Sequence, residues 1–228
     1  MTTPVVQPNI HLASGWATHV NSDGSQIAPP GTPDPVGGYG MVQGLPGDPT
    51  AALFWMGNPN VANPAYACVE YYIKMATQAN SGRLVLDFDL TPGADFVANA
   101  WIKETDTKFV KSGKMFNLSL QRIMKTNGIQ ISNQPGSWVD TGFTAPPFVA
   151  GVPLHHKYIY GFDIAKDLYG IQEIIIGGVQ FLVPFVLEDI SDLPTTWADG
   201  AYFQNQDQVG PNGGTQRYYL DNVNYTWS

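Results

Sequence analysis

Asn117, Ser119 and Gln121 alternate with Phe116, Leu118 and Leu120, and Gln204 and Gln206 recur in the same way in Tyr202-Phe203-Gln204-Asn205-Gln206. Residues two apart on a β-strand share a face, so these amides and hydroxyls would stand together on one side of a sheet. Groups that both donate and accept suit the hydroxyl rim of a sugar, and aromatic rings suit its apolar face. Trp101, next but one to Asn99, is a candidate ring platform, as are Trp16, Trp138 and Trp197 near turn residues. The chemistry expected of this set is binding of a polysaccharide on a concave polar and aromatic sheet face. An ordinary solvated sheet is the competing reading.

A second chemistry is proton abstraction beside a uronic carboxylate, which needs a base and a group to hold that carboxylate. His156, Tyr158 and Tyr160 share one strand face and Arg122 follows Gln121, so these four are the catalytic candidates if the chain is a polysaccharide lyase. Aromatic packing in a core accounts for the same pattern. Glycoside hydrolysis instead needs two carboxyl groups flanking a bond, one with a raised pKa. Glu70, Asp87, Asp89 and Glu173 are available, although Asp87 and Asp89 on one strand would sit side by side. The adjacent His155 and His156 would point to opposite faces and cannot share a metal ion. No glycine-rich strand-to-helix loop and no Gly-x-Ser-x-Gly elbow occurs, so nucleotide cofactors and serine-hydrolase chemistry lack support.

The elements that must position these residues read as strands. In 228 residues there are 24 Gly and 18 Pro, and only 13% are charged, while 43% are hydrophobic. That mix disfavours a helical protein and supplies the apolar burial that disordered chains lack. Leu84, Leu86, Phe88 and Leu90 alternate with polar partners, and His156, Tyr158, Tyr160 and Phe162 do so in a later strand. Thr126-Asn127-Gly128 and Gly177-Gly178 mark tight turns of two hairpins. A final strand runs from Arg217 to Trp227, and Ile164–Leu168 is at most a helical turn. Residues 21–65 hold 8 Pro and 8 Gly and read as loop, with short strands near Gly40–Gln43 and Ala52–Met56. The expected architecture is all-β, one domain over residues 1–228, built as a two-sheet antiparallel jelly-roll β-sandwich.

Segments His156-Lys157-Tyr158-Ile159-Tyr160-Gly161-Phe162-Asp163 and Ile174-Ile175-Ile176-Gly177-Gly178-Val179-Gln180-Phe181 resemble the middle hairpin of concanavalin A-like jelly rolls. Tyr219-Leu220-Asp221-Asn222-Val223-Asn224-Tyr225-Thr226-Trp227 is similar to the last strand of many carbohydrate-active sandwiches, so the resemblance covers roughly residues 150–228. It implies a lectin, a glucanase or a polysaccharide lyase, and it implies Asp221 as a ligand of a structural calcium ion. The Glu-x-Asp-x-Glu strand of one glucanase family is absent, as are the Arg-rich strand and Gln-Ile-His motif of an alginate lyase family.

The net charge of −8 and the scattered Lys and Arg argue against nucleic acid and anionic membrane as partners. The lone Cys68 excludes an intrachain disulfide and reads as a buried structural thiol. No export leader is visible, and the Asn-, Gln- and Thr-rich composition suggests an extracellular or surface-associated, soluble protein, with a cytoplasmic one as the alternative that would read alike. A structural, self-assembling jelly roll is the remaining alternative, and the oligomeric state is open.

Overall fold

The computed structural model describes residues 4–21, 39–56, 67–75, 81–134, 137–166, 168–183, 191–194, 197–209 and 215–228. Among them the strands are, in chain order, β1 (Val5–Gln7), β2 (Ala17–Asn21), β3 (Tyr39–Leu45), β4 (Asp48–Met56), β5 (Ala67–Lys74), β6 (Ser81–Pro92), β7 (Ala100–Lys111) and β8 (Lys114–Ile123). They continue as β9 (Gly128–Gln134), β10 (Ser137–Thr144), β11 (Leu154–Asp163), β12 (Leu168–Ile176), β13 (Val179–Leu182), β14 (Ser191–Pro194), β15 (Gly200–Val209) and β16 (Gln216–Trp227). One sheet has the order β13-β12-β11-β6-β16-β4-β3, with β1 added on β16. The other has the order β10-β9-β8-β7-β15-β5-β2, with β14 added on β8. The ladders are antiparallel, and the chain crosses repeatedly from one sheet to the other, which is the jelly-roll sandwich expected.

Side-chain alternation builds the core between the sheets. Leu84, Leu86, Phe88 and Leu90 of β6 are all 2% exposed or less, and Tyr218, Leu220, Val223, Tyr225 and Trp227 extend that layer along β16. The second sheet answers with Phe109 on Phe162 at 5.3 Å, Phe203 on Tyr225 at 5.8 Å and the Thr107 hydroxyl 2.9 Å from the Tyr225 hydroxyl. Offset and edge-on aromatic pairs of this kind add specific geometry to the area they bury.

The hairpins form where turn residues demand them. Gly177 and Gly178 join β12 to β13 with φ of 57° and 80°, and Asn127, φ 58°, closes the turn into β9. Strands β3 and β4 fall where short strands were expected in the Pro- and Gly-rich stretch; residues 22–38 and 57–66 of that stretch, and the Cys68 side chain, lie outside the described residues. Besides a 3-10 turn at Ile164–Lys166, where a helical turn was expected, and another at Ile10–Leu12, the described residues form one short helix, α1 (Ala94–Asn99). It lies between β6 and β7, where the chain changes sheets, and Asp95 ties it to β16 by accepting from the Arg217 backbone N–H at 3.2 Å and from its guanidinium at 2.9 Å.

The middle of the second sheet breaks the half-solvated pattern. Every residue from Lys103 to Val110 on β7 and from Ala201 to Asp207 on β15 is buried, on both faces of the pleat.

Candidate functional site

The register of β8, β7, β15 and β5 assembles a polar floor on the face turned away from the core. In one row Glu70, Gln206, Glu104 and Gln121 stand side by side, followed by Gln130 of β9. The next row holds Tyr72, Gln204, Asp106 and Ser119, and a third holds Lys74, Tyr202, Lys108 and Asn117. Two-residue pleat periodicity alone places these side chains together.

Hydrogen bonds lock the floor. The Gln204 amide donates to Asp106 Oδ2 at 2.8 Å and to Gln206 Oε1 at 3.1 Å, and the Gln206 amide donates to Glu104 Oε2 at 3.0 Å. Gln121 donates to Gln130 Oε1 at 2.6 Å, and the Lys108 ammonium lies 3.6 Å from Asp106 Oδ2. With the amide groups of Gln204, Gln206 and Gln121 engaged in this way, Gln204 Oε1 and Asn117 Oδ1 are left buried without a hydrogen-bond partner, while Asp106 is faced by the Ser119 hydroxyl, Glu104 and Lys108. Asp106 and Gln204 are 0% exposed and Ser119 1%, so this part of the floor is covered within the folded chain. Each unpartnered buried acceptor costs about 1–3 kcal/mol, so the two amide oxygens call for a ligand or water that brings donors.

Electrostatics follow from the same burial. Burial, and then the charge of the neighbouring Asp106, push the Glu104 carboxyl well above the ordinary carboxylate range. Burial raises Asp106 too, with Lys108 opposing. The floor therefore carries a carboxylic acid that holds its proton at higher pH than a solvated one.

Aromatic rings wall one end. Trp197 stacks on Tyr72 at 4.5 Å and tilts against Tyr202 at 4.9 Å, and Lys108 Nζ lies 5.6 Å from its ring centroid. Lys74 donates to the Asp199 carbonyl at 2.6 Å beside the same wall.

The structure gathers Asn117, Ser119, Gln121, Gln204 and Gln206 onto this floor, as their alternation predicts. Trp138 of β10 shares the face farther out, opposite Ser132 and two residues from Asp140, which pairs with Gln130. Trp101, 43% exposed, lies at the start of β7 on the opposite pleat parity and does not join them. The sequence reading passed over Glu104, Asp106 and Lys108. The signal was present in Lys111-Ser112-Gly113-Lys114: a two-residue turn there, with φ of 53° and 76°, sets Lys108 opposite Asn117, Asp106 opposite Ser119 and Glu104 opposite Gln121.

The four lyase candidates lie elsewhere. His156, Tyr158, Tyr160 and Arg122 are 3%, 2%, 0% and 2% exposed, respectively, and face the interior between the sheets. His156 stacks on Phe88 at 4.8 Å, and Arg122 lies over Phe148 at 3.9 Å. They lie between the sheets and not on either outer face: the alternation that aligned them also turned them inward. Of the four acids considered for hydrolysis, Glu70 reaches the floor, whereas Asp87 and Asp89 lie on the outer face of the other sheet, 3.4 Å and 2.9 Å from His155. Glu173 there accepts from Gln180.

Asp221, the calcium candidate, is also on that outer face, where it accepts from the Asn222 N–H at 2.7 Å and lies 3.7 Å from His11 Nε2. Among the described residues no group of three or more His, Cys, Asp and Glu side chains is placed to hold a metal. A cation at Asp221 would draw most of its ligands from backbone oxygens. Among the described residues no helix is long and apolar enough to cross a membrane.

No family model matches the chain, and no curated protein sequence matches it. Among solved structures it is similar to the catalytic domain of a glycoside hydrolase family 131 protein from Coprinopsis cinerea, with 12% identity, 77% of this chain and 69% of that one covered, and a TM-score of 0.44. It is also similar to arcelin-5, a lectin-like defence protein from Phaseolus vulgaris, with 8% identity, 100% and 99% covered, and a TM-score of 0.46. A legume lectin-like domain from Entamoeba histolytica gives 11% identity, 82% and 88% covered, and a TM-score of 0.42. At TM-scores below 0.5 these likenesses carry no functional argument.

Proposed function

We propose that the polar floor of the second sheet binds a neutral carbohydrate, most readily a stretch of polysaccharide. The observation that supports this is the patch of amide, hydroxyl and carboxyl side chains at Asp106, Gln204, Asn117 and Ser119, with Gln204 Oε1 and Asn117 Oδ1 left unpartnered. Sugar hydroxyls can donate to the free amide oxygens, and Trp197, Tyr72 and Tyr202 supply ring faces at the end of the floor. Of the cations beside it, Lys108 is paired with Asp106, and Lys74 donates to the neutral Asp199 carbonyl and keeps its charge. Affinity electrophoresis through gels of neutral and uronate polysaccharides tests this. Retardation is expected in at least one neutral gel, weakened roughly tenfold by Trp197→Ala, about 1.4 kcal/mol. Unchanged mobility in every neutral gel would overturn it.

One observation favours a second reading, glycoside hydrolysis: Glu104 carries a raised carboxyl pKa at the centre of the same floor. Glu70 lies in the same row with Gln206 between, two strand spacings of about 4.8 Å away, a separation of the order found in inverting enzymes. In that reading Glu104 is the acid and Glu70 the base. Release of reducing ends from a bound neutral glycan, abolished by Glu104→Gln with binding retained, is the expected result. Binding without any release would leave the floor a recognition surface alone.

A further inference from the structure

Between the sheets, Lys103 of β7 and Arg122 of β8 are direct cross-strand partners, and both point inward. Like charges placed opposite each other repel, and buried charges without counter-charge are costlier still. Lys103 has a partner in Asp207, 3.3 Å away and 1% exposed. Arg122 has none: its Nη2 donates to Asn127 Oδ1 and to the Pro146 carbonyl, both at 2.5 Å and both neutral. Its Nε and Nη1 are buried with no acceptor, and among the described residues no carboxylate pairs with it. Two cations and one carboxylate leave this part of the core with one uncompensated positive charge.

Beside them is a cavity of about 10 Å³, lined among others by Lys103, Thr105, Arg122, His156 and Tyr158. That is about the space one water molecule needs, so a halide there would be in contact with the walls on every side. We propose that this cavity holds a small monovalent anion of the halide class, bound by the free N–H groups of Arg122 and within the field of Lys103. A water molecule would satisfy the donors but leave the charge; a halide does both. Thr105 and Tyr158 add hydroxyl donors to the lining, and the apolar remainder, Phe88, Leu90, Leu120, Ile129, Phe148 and Ile176, favours a weakly hydrated ion over a polyatomic one. This site is separate from the polar floor and would stand whether or not the floor binds sugar.

Protein exchanged into sodium gluconate, then titrated with sodium bromide at constant ionic strength, gives the first readout. An ion that binds only the folded state raises the melting midpoint, here by about 2–4 °C with saturation, and Arg122→Met should abolish the response. Because that variant removes two good hydrogen bonds and could fail to fold, bromide-soaked crystals of the unaltered protein provide the second. An anomalous peak beside Arg122 Nε and Nη1 is expected. Identical midpoints in gluconate and bromide, with only water-strength density and no anomalous signal there, would overturn the proposal.

Discussion

Gln204 has one amide nitrogen, and it serves both Asp106 and Gln206, so its carbonyl oxygen is left facing the floor unpaired. Replacement by Leu fills the space but removes that acceptor, and neutral-glycan affinity measured by calorimetry should fall roughly tenfold or more, a loss of about 1–3 kcal/mol. Glu104 has a different signature. Its folded pKa lies above the unfolded value near 4.5, so the folded state binds more protons between the two, and stability falls as pH rises through that window. Glu104→Gln keeps the acceptor for the Gln206 amide, so its urea midpoint should match that of the parent at pH 4 and exceed it increasingly as pH rises. His156 acts in the opposite sense. Burial, helped by the Arg122 charge, lowers its pKa from 6.5 to about 3, so its contribution is complete above 6.5 and is lost as pH falls toward 3. The cost is on the order of 3 kcal/mol by pH 4. His156→Phe, which keeps the stack on Phe88, should flatten that acid limb in the same urea measurement; an unchanged limb would place the sensitivity elsewhere, for instance at the buried His11.

Among elements, the β7–β8 hairpin fixes the site, because its turn sets which β8 side chain stands beside each acid. Gly113 holds φ of 76° there, and a Cβ at that position meets nothing, so Gly113→Val tests backbone conformation alone. A β-branched residue in the left-handed region should cost about 1–2 kcal/mol in denaturant unfolding. Strands whose apolar residues alternate were legible from sequence: β6, β8, β11 and β16 lie where Leu84–Leu90, Phe116–Leu120, His156–Phe162 and Tyr218–Trp227 place them. So were the hairpins at Asn127 and Gly177-Gly178, whose turn residues carry their own mechanism. β7 was not, since Lys103-Glu104-Thr105-Asp106-Thr107-Lys108 is polar on both faces and shows no apolar period. Its inward face is tolerable only because Asp207 and Asn205 reach Lys103 from β15, a distant pairing invisible to local pattern. The same limit hid the direction of His156 and Arg122: alternation reveals that residues share a face, and only the packed sheets reveal which face.

For the molecule as a whole, the two sheets are joined by an apolar layer with a polar seam through it. Lys103, Asp207, Asn205 and Tyr218 form that seam, with the Lys103 ammonium 4.9 Å from the Tyr218 ring centroid and the Asn205 amide donating to the Tyr218 hydroxyl. Lys103→Met alone leaves Asp207 buried without its cation and should cost about 3–5 kcal/mol in urea unfolding, whereas adding Asp207→Leu should recover most of it. The opposite face of that same sheet carries the floor, so the seam anchors from beneath the strands that hold the floor's side chains. The most direct measurement is titration of the isotopically labelled protein with an oligosaccharide of a neutral polymer that retards it, following the side-chain amide resonances. Shifts at Gln204, Gln206, Gln121 and Asn117 and at the Trp197 indole, with Gln180 and Asn222 on the other sheet unmoved, are predicted; shifts confined to the other sheet, or absent from these five, would contradict the account.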